Sequence, residues 1–379
     1  MKYIYQNADW PHFTWNNDLL LSTLSKVRNL QGRLMGKMEA IGFNLRNEAV
    51  LETLTLDVIK TTEIEGEILN LDQVRSSLAK HLGVDIGALN YSDRSVDGIV
   101  DLIMDATKNC NEPISADRLF SWHAALFPTG QSGLYKITVG SWRIDSTGPM
   151  QVVSGAMGKE QVHYQAPDSS VIPREMEQFM DWFNAKTDLE PVLKAAIAHL
   201  WFVTLHPFED GNGRIGRALT DMLLARSDGS TQRFYSMSSQ IRKERKTYYD
   251  ILERTQKGGL DITDWLSWFL NCLLNTLISS DAILAKVMSK AGFWKQHSTI
   301  ILNERQRMML NRLLDGFEGK LTSSKWAKIT KCSQDTAIRD IQDLMNKAIL
   351  KKEAAGGRST NYELLITQEK DRSSAGPVA

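Results

Sequence analysis

Helical periodicity runs through most of this chain and is broken once, which already excludes most strand-built folds. Residues 16–41 place Leu20, Leu24, Val27, Leu30 and Leu34 three and four apart, the spacing of one helical face. Residues 45–65 repeat this with Leu51, Leu54, Val58 and Ile59, then stop at Gly66, a residue suited to the position just past a helix C-terminus. Helices are predicted over 93–109 and 115–126, with Asp93 and Ser115 as N-caps, and over 173–184, 191–205, 213–227, 238–256 and 261–290. The break is 128–170, rich in Gly, Ser and Pro. Two short strands are expected there, around Gly155-Ala156-Met157-Gly158. Strands and helices do not alternate, so a doubly wound sheet is not supported.

The 379 residues leave room for two or three domains. Lys+Arg is 45 and Asp+Glu is 45, so neither a basic nucleic-acid coat nor an acidic disordered tail is present. The 42% hydrophobic content supports a real core, in which many of the 10 Trp are expected to pack helices. Cys110, Cys272 and Cys332 are far apart and form no CxxC, so a disulfide framework or cysteine zinc site is not expected. The opening MKYIYQNADW lacks an apolar signal core, and no run approaches about 18 apolar residues. The expectation is therefore a cytoplasmic protein that does not cross a membrane.

Residues 301–365 read as a separate unit. A helix over 304–314 leads to SSKWAKIT, a turn, QDTAIRDIQDLMNKAIL, and then KKEAAGGRSTNYEL as strand, Gly-Gly turn and strand. That is the order of a winged helix-turn-helix. Its candidate recognition helix, 334–346, sets Arg339 against Asp335, Asp340 and Asp343. This charge is poorly suited to a phosphate-rich groove, so a protein-contact or dimerisation role is favoured over DNA binding. On the hairpin, Lys351, Lys352 and Arg358 could touch phosphate. The polar tail 366–379 is expected to be disordered.

The densest chemistry is His206-Pro-Phe-Glu-Asp-Gly-Asn-Gly-Arg-Ile-Gly-Arg217. An apolar helix ends at His206-Pro207. A loop with two acids follows, then a glycine-flanked helix start carrying Arg214 and Arg217. Glycines at a helix N-terminus expose backbone N–H groups at its positive end. Two arginines three apart share a face and suit phosphate oxygens. Asp210 could hold a Mg²⁺ alongside phosphate, and His206 could act as a general base. Gly211-Asn212-Gly213-Arg214-Ile215-Gly216 also fits G-x-G-x-x-G, but a helical segment precedes it where a dinucleotide-binding loop needs a strand.

These twelve residues match H-x-F-x-[D/E]-G-N-G-R-x-x-R at every fixed position. By that match the chain resembles the Fic (Fido-domain) family, whose members are mainly AMP transferases using ATP. The resemblance implies His206 as the base, Phe208 as the loop's anchor, and Asp210 as the Mg²⁺ ligand. It implies Gly211, Asn212 and Gly213 as the hole for the α-phosphate, with Ile215 and Gly216 in the same ATP-binding stretch. Arg214 would meet the β-phosphate and Arg217 the γ-phosphate. Tyr248-Tyr249 resembles the pair lining the adenine pocket, with Gln256 where a related Asn can occur. The hairpin 149–165 resembles the flap on which a target segment docks as an added strand.

Thr61-Thr-Glu-Ile-Glu65-Gly66 puts Thr61 and Glu65 four apart on one face, with Glu65 where the helix dipole disfavours an acid. It resembles the family's inhibitory helix, [S/T]-x-x-x-E-[G/N]. The resemblance implies that Glu65 pairs with Arg217 and blocks the γ-phosphate. The whole reading is a mainly α protein with a Fic-type helical core, a small β-hairpin flap and a C-terminal winged helix-turn-helix. The divisions expected are 1–92 with the inhibitory helix at about 45–66, 93–290 as catalytic core, 301–365 and the tail. The implied function is transfer of AMP from ATP to a hydroxyl of a target protein or of the chain itself, restrained by Glu65. A homodimer is compatible with the resemblance. The alternatives are a deAMPylase or transferase of another nucleotide, and a DNA-binding regulator with a nucleotide-sensing core.

Overall fold

The computed structural model describes residues 2–86, 91–146, 148–155, 161–317, 319–353 and 360–365. The chain forms two compact units, one of Met1–Val84 with Asn90–Leu284 and the other chiefly from Ala285 onward. The first begins with α1 (Asn17–Ala40) and α2 (Phe43–Ile64). The Asn16 side chain accepts from the Asp18 N–H to start α1, and Leu20, Val27 and Leu34 are buried along it. On α2, Leu51, Leu54, Val58 and Ile59 are buried as the periodicity requires. Next come α3 (Leu71–Leu82), α4 (Arg94–Lys108) and α5 (Ala116–Leu126). A small hairpin, β1 (Gln131–Ser132) with β2 (Tyr135–Lys136), precedes β3 (Gln151–Ser154), antiparallel to β4 (Gln161–Gln165). Then follow α6 (Ile172–Asn184), α7 (Pro191–Leu205), α8 (Asn212–Asp228), α9 (Met237–Lys243), α10 (Arg245–Gln256) and α11 (Thr263–Gln296).

The centre of this unit is α7 packed on α8. Every residue of α7 from Val192 to Leu205 is buried, which explains why its sequence is apolar all round rather than on one face. Pro191 opens it at a position needing no N–H, and Glu190 caps it by accepting from the Leu193 N–H. Trp201 lies in an aromatic cluster with Trp10, Phe13, Phe179 and Trp182, so part of the Trp content does pack helices.

Several expectations need correcting. The helix expected over 238–256 is two pieces broken at Glu244 (φ −102°, ψ 24°). No Gly or Pro marks the break, so periodicity could not reveal it. Asp93 stands at the N-cap of α4 without a capping bond, whereas Ser115 accepts from Arg118 N–H. The α3 helix and the β1–β2 hairpin were not anticipated, although Asn70 and Gly83 are good end signals for α3. The α11 helix is long and apolar enough to cross a membrane by length and composition. Scattered Ser, Thr and Asn hid this from a search for unbroken apolar runs. Of its apolar window 39% is buried within the protein, Trp265, Leu266, Phe269, Leu270, Leu273 and Leu277 being buried while Ile278 is exposed.

The second unit contains α12 (Glu304–Leu314), α13 (Ser323–Thr330), α14 (Gln334–Asn346) and the antiparallel pair β5 (Leu350–Lys352) and β6 (Tyr362–Leu364). Met309, Leu310, Trp326, Ile341, Leu344 and Ile349 are in its core. The α14 helix covers the expected 334–346, and Leu350 opens the strand that follows. Two of its acids are engaged: Asp340 by Arg305 at 2.7 Å and Asn303 at 2.8 Å, and Asp343 by Gln306 at 2.7 Å and Lys347 at 2.5 Å. The flap turn at 156–158, the Gly356-Gly357 turn, Arg358 and the tail lie outside the described residues.

Candidate active site

The apolar α7 ends at His206, which takes a left-handed backbone (φ 50°, ψ 57°) and donates its N–H to Phe202 O. A β-unbranched, partly polar residue tolerates that conformation only when the surroundings hold it there. Phe208 is fully buried and stacks on His123, with ring centroids 4.3 Å apart, so it anchors the loop. The buried Asn212 side chain closes the loop from inside, accepting from Phe208 N–H at 3.0 Å and donating to Phe208 O at 2.8 Å. Gly211 has φ 81°, and a Cβ there would come within 2.9 Å of the Phe127 ring. It is the N-cap of α8 and supplies no side chain, so the first-turn N–H groups keep an uncapped, positive end. Ile215 is wholly buried, and Gly216 packs under Val203.

The acids of the loop divide. Glu209 turns away and accepts twice from Thr138, at 2.9 Å each. Asp210 accepts from the Gly211 N–H at 2.5 Å and from the Ser132 hydroxyl, and lies 3.8 Å from Arg214. His206 is half-buried. Burial first, then the charge of Arg143, hold its pKa down to about 4, so its ring is neutral at neutral pH. Sequence reasoning missed two residues that hold this loop. His123 takes the Gly140 N–H on Nδ1, which leaves Nε2–H to donate to Asp210 O at 3.2 Å. Burial likewise holds His123 down to about 4. Arg143 donates from Nε to His206 O at 2.8 Å. Neither residue belongs to a motif, and both lie over 60 residues from the loop carbonyls they hold, so no local signal could have found them.

The end of α2 meets α8. Arg217, 2% exposed, donates from Nε to Thr61 Oγ1 at 2.7 Å, and from Nη2 to Thr61 O at 2.9 Å and Glu65 Oε1 at 2.7 Å. Thus the two residues predicted to share a helical face converge on one guanidinium. Burial is the largest influence and works against the charge of Arg217, but Glu65, Tyr248 and Tyr249 together outweigh it and the pKa is raised. Gly66 has φ 88° and lets the chain leave α2. The same carboxylate sits over Gly213, where a Cβ would come 2.2 Å from Glu65 Oε1. One residue past the turn, Glu67 takes Arg214 at 3.0 Å, a contact the sequence did not signal. Arg217 Nη1 and Arg214 Nε are buried and make no hydrogen bond among the described residues.

Tyr248 and Tyr249 differ. Tyr248 is 2% exposed with its hydroxyl 2.8 Å from His199 Nε2, and burial pushes the phenol up. Tyr249 is half-exposed, its hydroxyl 3.5 Å from Glu65 Oε2. Gln256 is buried and donates to Thr204 Oγ1 at 3.3 Å. On the β3–β4 hairpin, Val153 and Val162 pair across the strands, and both are exposed.

Residues 113–224 match the family model described as Fic/DOC family, and residues 3–84 match one described as a domain of unknown function (DUF4172). A protein adenylyltransferase Fic of Culex quinquefasciatus is 27% identical over 56% of this chain and 39% of its own length. One from Drosophila willistoni is 36% identical over 27% of this chain and 19% of its own length, and protein adenylyltransferase fic-1 of Caenorhabditis elegans is 28% identical over 46% and 32%. The chain therefore spans about two-fifths of these relatives' length at most. A Fic family protein from Desulfovibrio desulfuricans G20 superposes with a TM-score of 0.51 at 17% identity, covering 93% of this chain and 97% of that one. A Fic domain containing signaling protein from Bacteroides thetaiotaomicron gives 0.50 at 18% identity, covering 69% and 98%. The complete twelve-residue loop lies inside the matched 113–224, on helices arranged as in these structures, so this stretch of the chain is a Fic/DOC family domain.

Proposed function

We propose that this chain is a protein adenylyltransferase that moves AMP from ATP to a hydroxyl side chain of a target protein or of itself, held in check by Glu65. One observation carries the reading: two buried guanidinium nitrogens, Arg217 Nη1 and Arg214 Nε, make no hydrogen bond among the described residues and belong to arginines in the first turns of α8, whose start is uncapped. Such donors fit the oxygens of a polyphosphate. The relatives' names point the same way. In this reading the N–H groups at Gly211–Gly213 hold the α-phosphate, Arg214 the β- and Arg217 the γ-phosphate. The neutral His206 imidazole takes the proton of the acceptor hydroxyl, the acceptor oxygen bonds to the α-phosphorus, and the bond from that phosphorus to the oxygen bridging to the β-phosphate breaks, so pyrophosphate leaves. Asp210, pre-oriented by Ser132 and Gly211, is the carboxylate that would hold Mg²⁺, which would neutralise charge on the bound phosphates. The β3–β4 edge, with exposed Val153 and Val162, would take the acceptor segment as an added strand. The second unit has the order of a winged helix-turn-helix, and we assign it a protein-contact role.

Intact-mass measurement after incubation with ATP and Mg²⁺ tests the function: a gain of one AMP supports it. No gain in either the wild type or Glu65→Gly, together with a gel shift on DNA at physiological salt, replaces it with the regulator reading. Asp210→Asn is expected to flatten the dependence of transfer on Mg²⁺ concentration. An unchanged Mg²⁺ titration would move the metal to another residue. Glu67→Gln is expected to raise self-modification roughly two- to fivefold, because its half-exposed pair with Arg214 contributes about 0.5–1 kcal/mol. A rate equal to wild type shows that Glu67 does not restrain Arg214.

A further inference from the structure

Arg143 is 2% exposed, and all three guanidinium nitrogens donate. Nε binds His206 O at 2.8 Å, Nη2 binds Pro167 O, and Nη1 binds Asp145. Its backbone N–H donates to Pro207 O at 2.9 Å, so one residue grips both carbonyls of the His206-Pro207 step. His206 sits past the end of α7 in a left-handed conformation, which persists only where neighbours fix it. Pro167 is two residues beyond β4, at the foot of the hairpin. Asp145, which orients the guanidinium, is itself tied to that foot: Ser169 N–H donates to it at 2.8 Å, and its own N–H donates to Ser169 Oγ at 3.2 Å. On β4, the buried Tyr164 donates to Thr204 O at 2.7 Å, two residues before His206. The hairpin foot and the base are thus joined at two points.

We propose that Arg143 is a positioning residue for transfer to a protein hydroxyl: its planar fork fixes the base residue His206 relative to the strand edge on which the acceptor lies. This rests on the adenylyltransferase reading. A base on a loop and an acceptor on a hairpin reach reacting distance only if the two supports keep a set separation, and a misplacement of about 1 Å can cost roughly 100-fold. Lysine keeps the charge but offers one point instead of a fork, so it cannot hold His206 O, Pro167 O and Asp145 together. Among the described residues Arg143 makes no hydrogen bond to Arg214, Arg217 or α8, so ATP affinity has no reason to follow it.

The test uses the full chain carrying Glu65→Gly, with self-modification followed by intact mass and ATP affinity by titration with a fluorescent ATP analogue. Arg143→Lys is expected to unfold cooperatively as the parent does, to bind the analogue as tightly, and to transfer AMP roughly 100-fold more slowly. A folded Arg143→Lys that transfers at the parent rate overturns the proposal. So does a loss of rate matched by an equal loss of nucleotide affinity, which marks a merely structural role. If Arg143→Lys fails to fold, Asp145→Asn leaves the arginine and loosens its orientation. A slower rate at unchanged affinity then supports the proposal, and the parent rate overturns it. A parent that gains no AMP overturns the adenylyltransferase reading and this one with it, an outcome distinct from each of those.

Discussion

His206→Ala is expected to abolish AMP transfer while ATP binding stays close to wild type. Of the loop's side chains, Glu209 is taken up by Thr138 and Asp210 by Ser132 and Gly211, which leaves the imidazole as the base, and a positioned general base contributes on the order of 10²–10⁴-fold. The proposed phosphate contacts come from the start of α8 and from Arg214 and Arg217, none of which bonds to the His206 side chain. The ring's own hydrogen bond is a long one, 3.4 Å to Val203 O, so truncation leaves little behind to rearrange. The measurement is a rate by intact mass beside nucleotide affinity by titration. A variant that still labels near the wild-type rate removes His206 from the chemistry. The same residue sets a pH dependence. Burial and the Arg143 charge lower its pKa from 6.5 to about 4, so the base stays deprotonated as pH falls through the usual histidine range. The acid limb of the rate is expected near pH 4, and a limb near 6.5 shows that the ring is solvated during turnover.

The site was legible where one stretch of chain makes its own geometry. The apolar run 191–205, Pro207, and the glycines at 211 and 213 encode a buried helix, a stop and an uncapped restart, and these appear as α7, the loop and α8. Thr61 and Glu65 were legible because helical spacing alone puts them on one face, and both reach Arg217. The supports were not legible. Arg143 and His123 act through bonds to backbone carbonyls far along the chain, and a carbonyl carries no sequence signature. Glu67 follows a turn at Gly66 whose direction decides which arginine it meets. The break at Glu244 interrupts a pattern that stays periodic through it, and the hydropathy of α11 is spread among polar residues. Local sequence therefore encodes the reactive loop, while tertiary packing decides what holds it.

Glu65→Gly is expected to raise self-modification by roughly 10- to 150-fold. The estimate follows from one charged hydrogen bond, Arg217 Nη2 to Glu65 Oε1 at 2.7 Å, worth about 1.5–3 kcal/mol at about 1.4 kcal/mol per decade. Two effects act in the same direction. The guanidinium loses its carboxylate partner, so one N–H of Nη2, which keeps Thr61 O, joins Nη1, without a hydrogen bond among the described residues, as a donor for phosphate oxygen. The space over Gly213 also empties, because Glu65 Oε1 now lies where even a Cβ would clash. Thr61 stays on Arg217 Nε and keeps the side chain aimed at the site. The single substitution cannot separate release of Arg217 from a general loosening of the end of α2, whose last carbonyl, Ile64 O, is held by Arg245 at 2.7 Å. Combination with Arg217→Ala does separate them. If Glu65 acts through the guanidinium, the gain disappears in the Arg217→Ala background, and the two changes are strongly non-additive. Equal activation with and without Arg217 means that Glu65 restrains the site by occupying the space over Gly213, and the clamp on Arg217 is wrong. A Glu65→Gly chain with unchanged AMP transfer that no longer removes AMP from a modified target assigns Glu65 to the reverse reaction, as the residue that activates water.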